Sequence, residues 1–292
     1  MFGRKIELSF DGPDLNVPVI DELRVAFDVK KSTGGISQGN IIIYNLNETN
    51  RKALVTSKLI LKPESSVNTV SLIAGYEDDA QQLAYGDILS VKNYRVGPDW
   101  ITEIEYYTAY SKIQLSQTSV SYSLPTLSKY IVDQIFESMS INVLYSSDAL
   151  DVILNKKLFS YNASGSSFKT AKELLRAYGL EVSFIHNDSV LVTVINKGHG
   201  DAATTISVEN GLIGTPAITD AGTIVQSLLS PLLEIKEKIK LKSFSVYASL
   251  PEGYSNDFFI TSLNHVGDTH GDDWYTEIEA YYADIEDLNL IP

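Results

Sequence analysis

The sequence predicts a mainly β protein with an α+β insert, and three observations lead there. The stretch Asp99-Trp100-Ile101-Thr102-Glu103-Ile104-Glu105 recurs as Asp273-Trp274-Tyr275-Thr276-Glu277-Ile278-Glu279, and the two stretches hold the chain's only two tryptophans. Apolar and polar residues alternate through much of 1–110 and 201–292, the period of half-buried strands. Residues 111–200 instead carry two apolar stripes at helical spacing. The copies lie 174 residues apart, far beyond a solenoid period of about 20–50 residues. The economical reading is one β unit used twice with something inserted: a first β-domain over 1–110, an α+β middle domain over 111–200 and a second β-domain over 201–292.

In chain order, Lys5–Phe10 alternates, and Asp11-Gly12-Pro13-Asp14 is a turn cluster. Leu23–Val29 alternates again, with Leu23, Val25, Phe27 and Val29 on one face. Asn40–Leu46 is a β-branched run. A short helix over Glu48–Val55 follows, with Asn47 as its N-cap. Val70–Tyr76, Ile88–Val96 and Trp100–Thr108 are strands, the last entered through Gly97-Pro98-Asp99. Leu127, Tyr130, Ile131, Ile135 and Met139 mark the first helix of the insert. Phe168, Ala171, Leu174, Leu175 and Tyr178 mark the second, with Ser166 or Ser167 at its start and Gly179 at its end. A hairpin follows, Glu181–Ile185 and Val190–Ile195. Thr223–Leu229, Ile239–Val246 and Phe258–Val266 are the strands that lead to the second Trp stretch.

A length of 292 residues suits two or three domains. An apolar content of 44% excludes general disorder. With no cysteine there is no disulfide, thiolate metal site or cysteine nucleophile. The N-terminus lacks the apolar core of a signal peptide, and no run approaches a membrane helix, so a soluble protein made without export is expected. Net charge is −14. Residues 243–292 hold ten acids (Glu252, Asp257, Asp268, Asp272, Asp273, Glu277, Glu279, Asp284, Glu286 and Asp287) and no Lys or Arg. Such a surface repels phosphates and argues against gripping nucleic acid.

Period-two alternation puts Trp100, Thr102, Ile104 and Tyr106 on one face of the first copy and Glu103, Glu105 and Tyr107 on the other. The second copy divides the same way, with Trp274, Thr276 and Ile278 opposite Tyr275, Glu277 and Glu279. Trp100, Ile104, Trp274 and Ile278 are therefore expected in the core, and the glutamates in water. Glu103/Glu105 and Glu277/Glu279 have the separation of paired catalytic carboxylates, about 6.6 Å at Cα. Nothing indicates a sugar cleft, however, and no nucleophile, phosphate-loop or dinucleotide motif is present. His265, Asp268, His270, Asp272 and Asp273 carry metal-donor atoms but read as an exposed polar hairpin loop without compact ligand spacing. No cofactor is expected.

Three stretches carry a family resemblance. One is Val25-x-Phe27-x-Val29, Asn40, Tyr44-Asn45-Leu46, Ala74-Gly75-Tyr76, Gly86-Asp87 and Gly97-Pro98-Asp99-Trp100-Ile101-Thr102. Another is Phe168–Ile195 with Tyr178-Gly179-Leu180. The third is Gly211-Leu212-Ile213-Gly214-x-Pro216, Leu228-Leu229-x-Pro231-Leu232 and His265–Thr276. Together they make the chain resemble the baseplate hub proteins of contractile-tailed bacteriophages and related machines, including the hub part of secretion-system spike proteins. The resemblance implies two tail-tube-like β-barrel or sandwich domains flanking the helix-hairpin domain. It also implies a homotrimer whose pseudo-six-fold ring adapts a six-fold tail tube to a three-fold spike. Implied partners are the tail tube protein, a spike protein and neighbouring baseplate proteins, with DNA passing transiently through a channel and no membrane anchor. The implied location is the virion tail baseplate, assembled in the host cytoplasm. Such a protein is no enzyme, and with no spike repeat before Pro292 the spike is expected as a separate chain. Glu103, Glu105, Glu277 and Glu279 become candidate channel-lining acids. His265, Asp268, His270 and Asp272 become a candidate interface loop. A carbohydrate-recognising tail or surface module, using some of the 17 tyrosines, is the alternative.

Overall fold

The computed structural model describes residues 3–13, 15–56, 67–77, 79–243, 246 and 255–283. Glu252, Asp284, Glu286 and Asp287 of the acidic span lie outside the described residues, as does most of the end of the Ile239–Val246 strand.

The first six strands are β1 (Arg4–Asp11), β2 (Val25–Ser32), β3 (Gln38–Tyr44), β4 (Thr69–Tyr76), β5 (Gln81–Val96) and β6 (Asp99–Tyr107). Helix α1 (Glu48–Thr56) sits between β3 and β4. Its Asn47 side chain accepts the Asn50 N–H at 2.8 Å, satisfying a donor that the first turn leaves open. The last six strands are β14 (His199–Ser207), β15 (Leu212–Ile218), β16 (Gly222–Leu228), β17 (Glu237–Lys242), β18 (Asp257–Asp268) and β19 (Trp274–Tyr282).

All twelve lie in one sheet, not in two separate ones. The first six run in the order β1-β4-β5-β6-β3-β2, and the last six in the order β14-β17-β18-β19-β16-β15. Position by position this is the same order used twice. The halves meet where β2 pairs antiparallel with β18, from Ser32 opposite Ser262 to Ala26 opposite Asp268. One irregularity is repeated as well. The register slips between Ile88 and Ser90 against β6, and between Ile260 and Ser262 against β19. Each slip is a bulge that switches which residues face inward: Phe258 and Ile260 are buried before it, Leu263 and His265 after it. The halves differ at β14, which runs parallel to β17, whereas β1 runs antiparallel to β4.

The insert holds α2 (Tyr110–Leu115), α3 (Ser128–Ser138), α4 (Ser147–Ile153) and α5 (Ser167–Arg176). Its largest sheet joins β12 (Leu180–His186) and β13 (Ser189–Val194), the expected hairpin, to β9 (Asn142–Tyr145), which runs parallel to β13. Four short strands form two pairs, β7 (Gln117–Tyr122) with β11 (Tyr161–Ser166) and β8 (Thr126–Leu127) with β10 (Lys157–Leu158). Phe168 packs edge-on to Phe136 at 6.4 Å and against Phe184 at 5.6 Å. Gly179 ends the α5 turn at φ 71, a conformation that costs glycine nothing. Neither serine at the start of α5 makes a side-chain cap: the N-cap Ser166 has no such bond.

Three buried clusters follow the chain's three segments, with one exchange. Trp274 and Leu229, from the last segment, belong to the cluster built by residues 6–106. The insert is tied to the sheet through Lys172 Nζ donating to the Gly34 carbonyl at 2.5 Å and through an ion pair of Lys236 with Glu181.

Candidate functional site: the polar sheet face

The register carries one face unbroken across the junction of the halves. Glu103 and Glu105 of β6, Asn40 of β3, Asp28 and Lys30 of β2, Asn264 of β18 and Glu277 and Glu279 of β19 all project from it. The face opposite buries Ile104, Ile41, Phe27, Leu263 and Ile278. Among the described residues, none of the four glutamates has a cation within ion-pair distance; for Glu103, Glu105 and Glu277, amides and hydroxyls take that place. Asn40 Nδ2 donates to Glu103 Oε1 at 3.2 Å and Asn264 Nδ2 to Glu277 Oε2 at 3.3 Å. Ser90 Oγ and Tyr107 OH donate to Glu105 at 3.1 and 3.3 Å, and Tyr94 OH donates to Glu103 at 3.3 Å. Partial burial and the nearby carboxylates raise the phenol pKa of both Tyr94 and Tyr107, Glu103 acting on the first and Glu105 on the second. Neutral donors thus hold Glu103, Glu105 and Glu277 in place.

The two tryptophans part company. Trp274 is 3% exposed, meets Phe27 edge-on at 5.5 Å and lies under the Arg4 guanidinium at 5.2 Å. Trp100 is 38% exposed, which corrects the core position expected for it. Its backbone stands on the inward face, but at the tip of the β5–β6 hairpin, past the end of the core. Arg51 stacks on its ring at 3.9 Å in place of an apolar neighbour.

The expected His265–Asp273 loop is also corrected. Strand β18 runs on through Asp268, so His265 is a fully buried strand residue. Its Nδ1 bonds Thr276 Oγ1 at 2.9 Å and, among the described residues, its Nε2 has no partner. Burial, then the neighbouring Lys31, push its pKa well below the ordinary value and keep the ring neutral. Asp268 is gripped by Arg24 through Nε at 3.1 Å and Nη2 at 2.6 Å. Burial works against the Asp268 charge, but Arg24 and the His270 N–H outweigh it and hold the carboxyl below its usual range. Arg4 donates to the carbonyls of Asp268 and Gly271, each at 2.8 Å, and of Asp272 at 3.2 Å. The residues at this tip thus clamp the β18–β19 hairpin onto the start of β1 and β2. Among the described residues, His270 bonds only near neighbours, accepting or donating at Nδ1 with Thr269 Oγ1 at 2.9 Å. Among the described residues, no three His, Asp or Glu side chains converge as a metal site.

The family model for baseplate hub gp41 matches residues 5–280 of the chain. A search of curated proteins finds no match. Among solved structures, the chain is similar to the 43 kDa tail protein of prophage MuSo2 from Shewanella oneidensis, at 9% identity and a TM-score of 0.64, covering 96% of this chain and 97% of that one. It is similar to a tail protein from Neisseria meningitidis at 8% identity and a TM-score of 0.64, with 97% of each chain covered. It also matches the E. coli c3393 protein, a type VI secretion system component described as similar to T4 bacteriophage tail proteins gp27 and gp5, at 11% identity and a TM-score of 0.59, over 94% of this chain and 76% of that one. At such identities the likeness is one of fold.

Proposed function

The chain belongs to the baseplate hub gp41 family, and from that premise we propose how its geometry serves a tail. A baseplate hub is a structural part of the virion tail, and the family is not one of enzymes. The protein works as a homotrimer and performs no bond chemistry. Each copy presents two six-stranded units of the same strand order, so three copies present six and form a pseudo-six-fold ring. That ring adapts a six-fold tail tube on one side to a three-fold spike protein on the other, with neighbouring baseplate proteins around it.

The single observation that supports this reading best is the strand order used twice in one sheet. A chain that needed only one β unit would gain nothing from such a duplication. In a ring closed through its sheet, one face looks inward and the other outward. The face that carries the buried clusters and the insert needs the larger circumference. The bare face with Glu103, Glu105, Glu277 and Glu279 therefore turns to the bore. Its carboxylates repel passing DNA phosphates, which lets DNA slide without sticking.

Native mass measurement of the purified chain, alone and with its spike protein, tests the reading. A mass of three copies is expected; a stable monomer that stays monomeric with the spike overturns it.

A further inference from the structure

The sheet ends in two strand edges that match the two edges joined at its centre. Strand β18 has β19 along one side. Its other side is shared, with β17 against Asp257–Phe259 and β2 against Ser262–Asp268. Strand β5 is the corresponding strand of the first half. It has β6 along one side and β4 against Gln81–Asp87 on the other. Among the described residues, nothing pairs with that second side from Ser90 to Val96, where β18 carries β2. At the far end of the sheet β15, which corresponds to β2, pairs among the described residues only with β16. The first open edge also leaves apolar side chains exposed: Val96 is 59% exposed and Tyr94 40%. Bare edges of this kind are an aggregation hazard unless something pairs with them.

We propose that the open β5 edge of one copy pairs antiparallel with the open β15 edge of the next, in the register that β2 and β18 already use within the chain. The proposal deepens the homotrimer reading and rests on it. The occupant is a second copy of this chain, because the chain already builds this junction once from equivalent strands. Two open edges that differ give a head-to-tail contact, and such contacts close into rings when the rotation allows.

The internal junction dictates the residues. Trp100 stands opposite Arg95 and Trp274 opposite Gly267, so Tyr94 corresponds to Val266 and Val96 to Asp268. Asn40 stands opposite Glu105 and Ile224 opposite Glu279, so Asp28 corresponds to Ala217 and Ala26 to Ile213. Val266 pairs with Asp28 and Asp268 with Ala26. Tyr94 of one copy therefore stands opposite Ala217 of the next, and Val96 opposite Ile213. Pro216, which has no N–H to give, falls in the irregular stretch of β15 between these two pairs and so interrupts neither. Trp100 then lies at the joint between copies, where Trp274 lies at the joint between halves.

The natural chain has no cysteine, so introduced pairs report alone. The double variant Tyr94→Cys/Ala217→Cys, oxidised with copper phenanthroline, is expected to run mostly as two and three linked chains, reversed by reductant. Val96→Cys/Ile213→Cys repeats the measurement one pair along. Each single variant, and the off-register pair Ser90→Cys/Ala217→Cys, is expected to stay at one chain. A native mass of three copies with no link from either in-register pair, or with links from the off-register pair, overturns the proposed register and leaves the homotrimer standing. A native mass of one copy overturns both.

Discussion

At the scale of the residue, the two tryptophans measure how much an environment adds to a side chain. Trp274 is buried against Phe27, and Trp274→Ala is expected to cost the isolated chain about 3–5 kcal/mol. Trp100 has mainly its Arg51 contact to lose, worth about 0.5–1 kcal/mol, so Trp100→Ala is expected to move the urea midpoint far less. Equal shifts would contradict the burial difference. His265 gives a pH dependence. Its folded pKa is depressed, so the unfolded chain binds the extra proton, and stability falls as pH drops below the ordinary His value of about 6.5. The slope from this one group reaches about 1.4 kcal/mol per pH unit. Urea unfolding at pH 5.0 and 7.0 is expected to show the loss, and His265→Leu to reduce it, since Thr276 Oγ1 keeps its bond from the Ser230 N–H at 3.1 Å. The glutamate face and buried Ile104 and Ile278 were legible from period-two alternation alone. The exposure of Trp100 was not, because it depends on where the core ends beneath a hairpin tip. His265 was misread because Gly267, Thr269 and Gly271 look like turn residues, while the strand that holds it in the core is β2, far away in sequence.

At the scale of the element, helices and most strands were legible because each carries its own period and punctuation, as α1 with its Asn47 cap and α5 with Gly179 do. The bulges left no such mark. Thr261 looks like any strand residue, yet it sets which face Phe258 and Ile260 occupy. Deleting Thr261 is expected to turn both toward solvent and to abolish soluble folding, whereas Thr261→Ser leaves the register intact; expression and circular dichroism distinguish them. The tie between insert and sheet makes a second element-scale prediction. The Lys236 side chain is 3% exposed and its partner is Glu181. Glu181→Ala leaves a buried cation uncompensated and is expected to destabilise the chain by about 3–5 kcal/mol, whereas removing the exposed pair of Glu48 and Lys52 by Glu48→Ala is expected to leave the urea midpoint almost unmoved.

At the scale of the whole molecule, the repeated Asp-Trp-x-Thr-Glu-Ile-Glu stretch announced a duplication. It did not show that the two units share a sheet, because a strand's partner across more than two hundred residues leaves no local signal. The shared sheet puts four glutamates on one uninterrupted surface, and its consequence is testable in particles. Glu277→Lys/Glu279→Lys reverses two of the four charges. If the face lines the bore, assembled particles carrying this pair eject DNA more slowly, and more so at low salt. Normal ejection from normally assembled particles would place the face elsewhere.

The junction of β2 with β18 also sets a clock. Ser32 and Ser262, which face each other there, are made 230 residues apart. At ribosomal rates of about 5–20 residues per second, the edge of β2 waits about 10–50 seconds for its partner. Through that interval it is an unpaired strand edge, the kind that other strands pair with. The same duplication that supplies two units per chain thus leaves the β2 edge without its partner through most of synthesis.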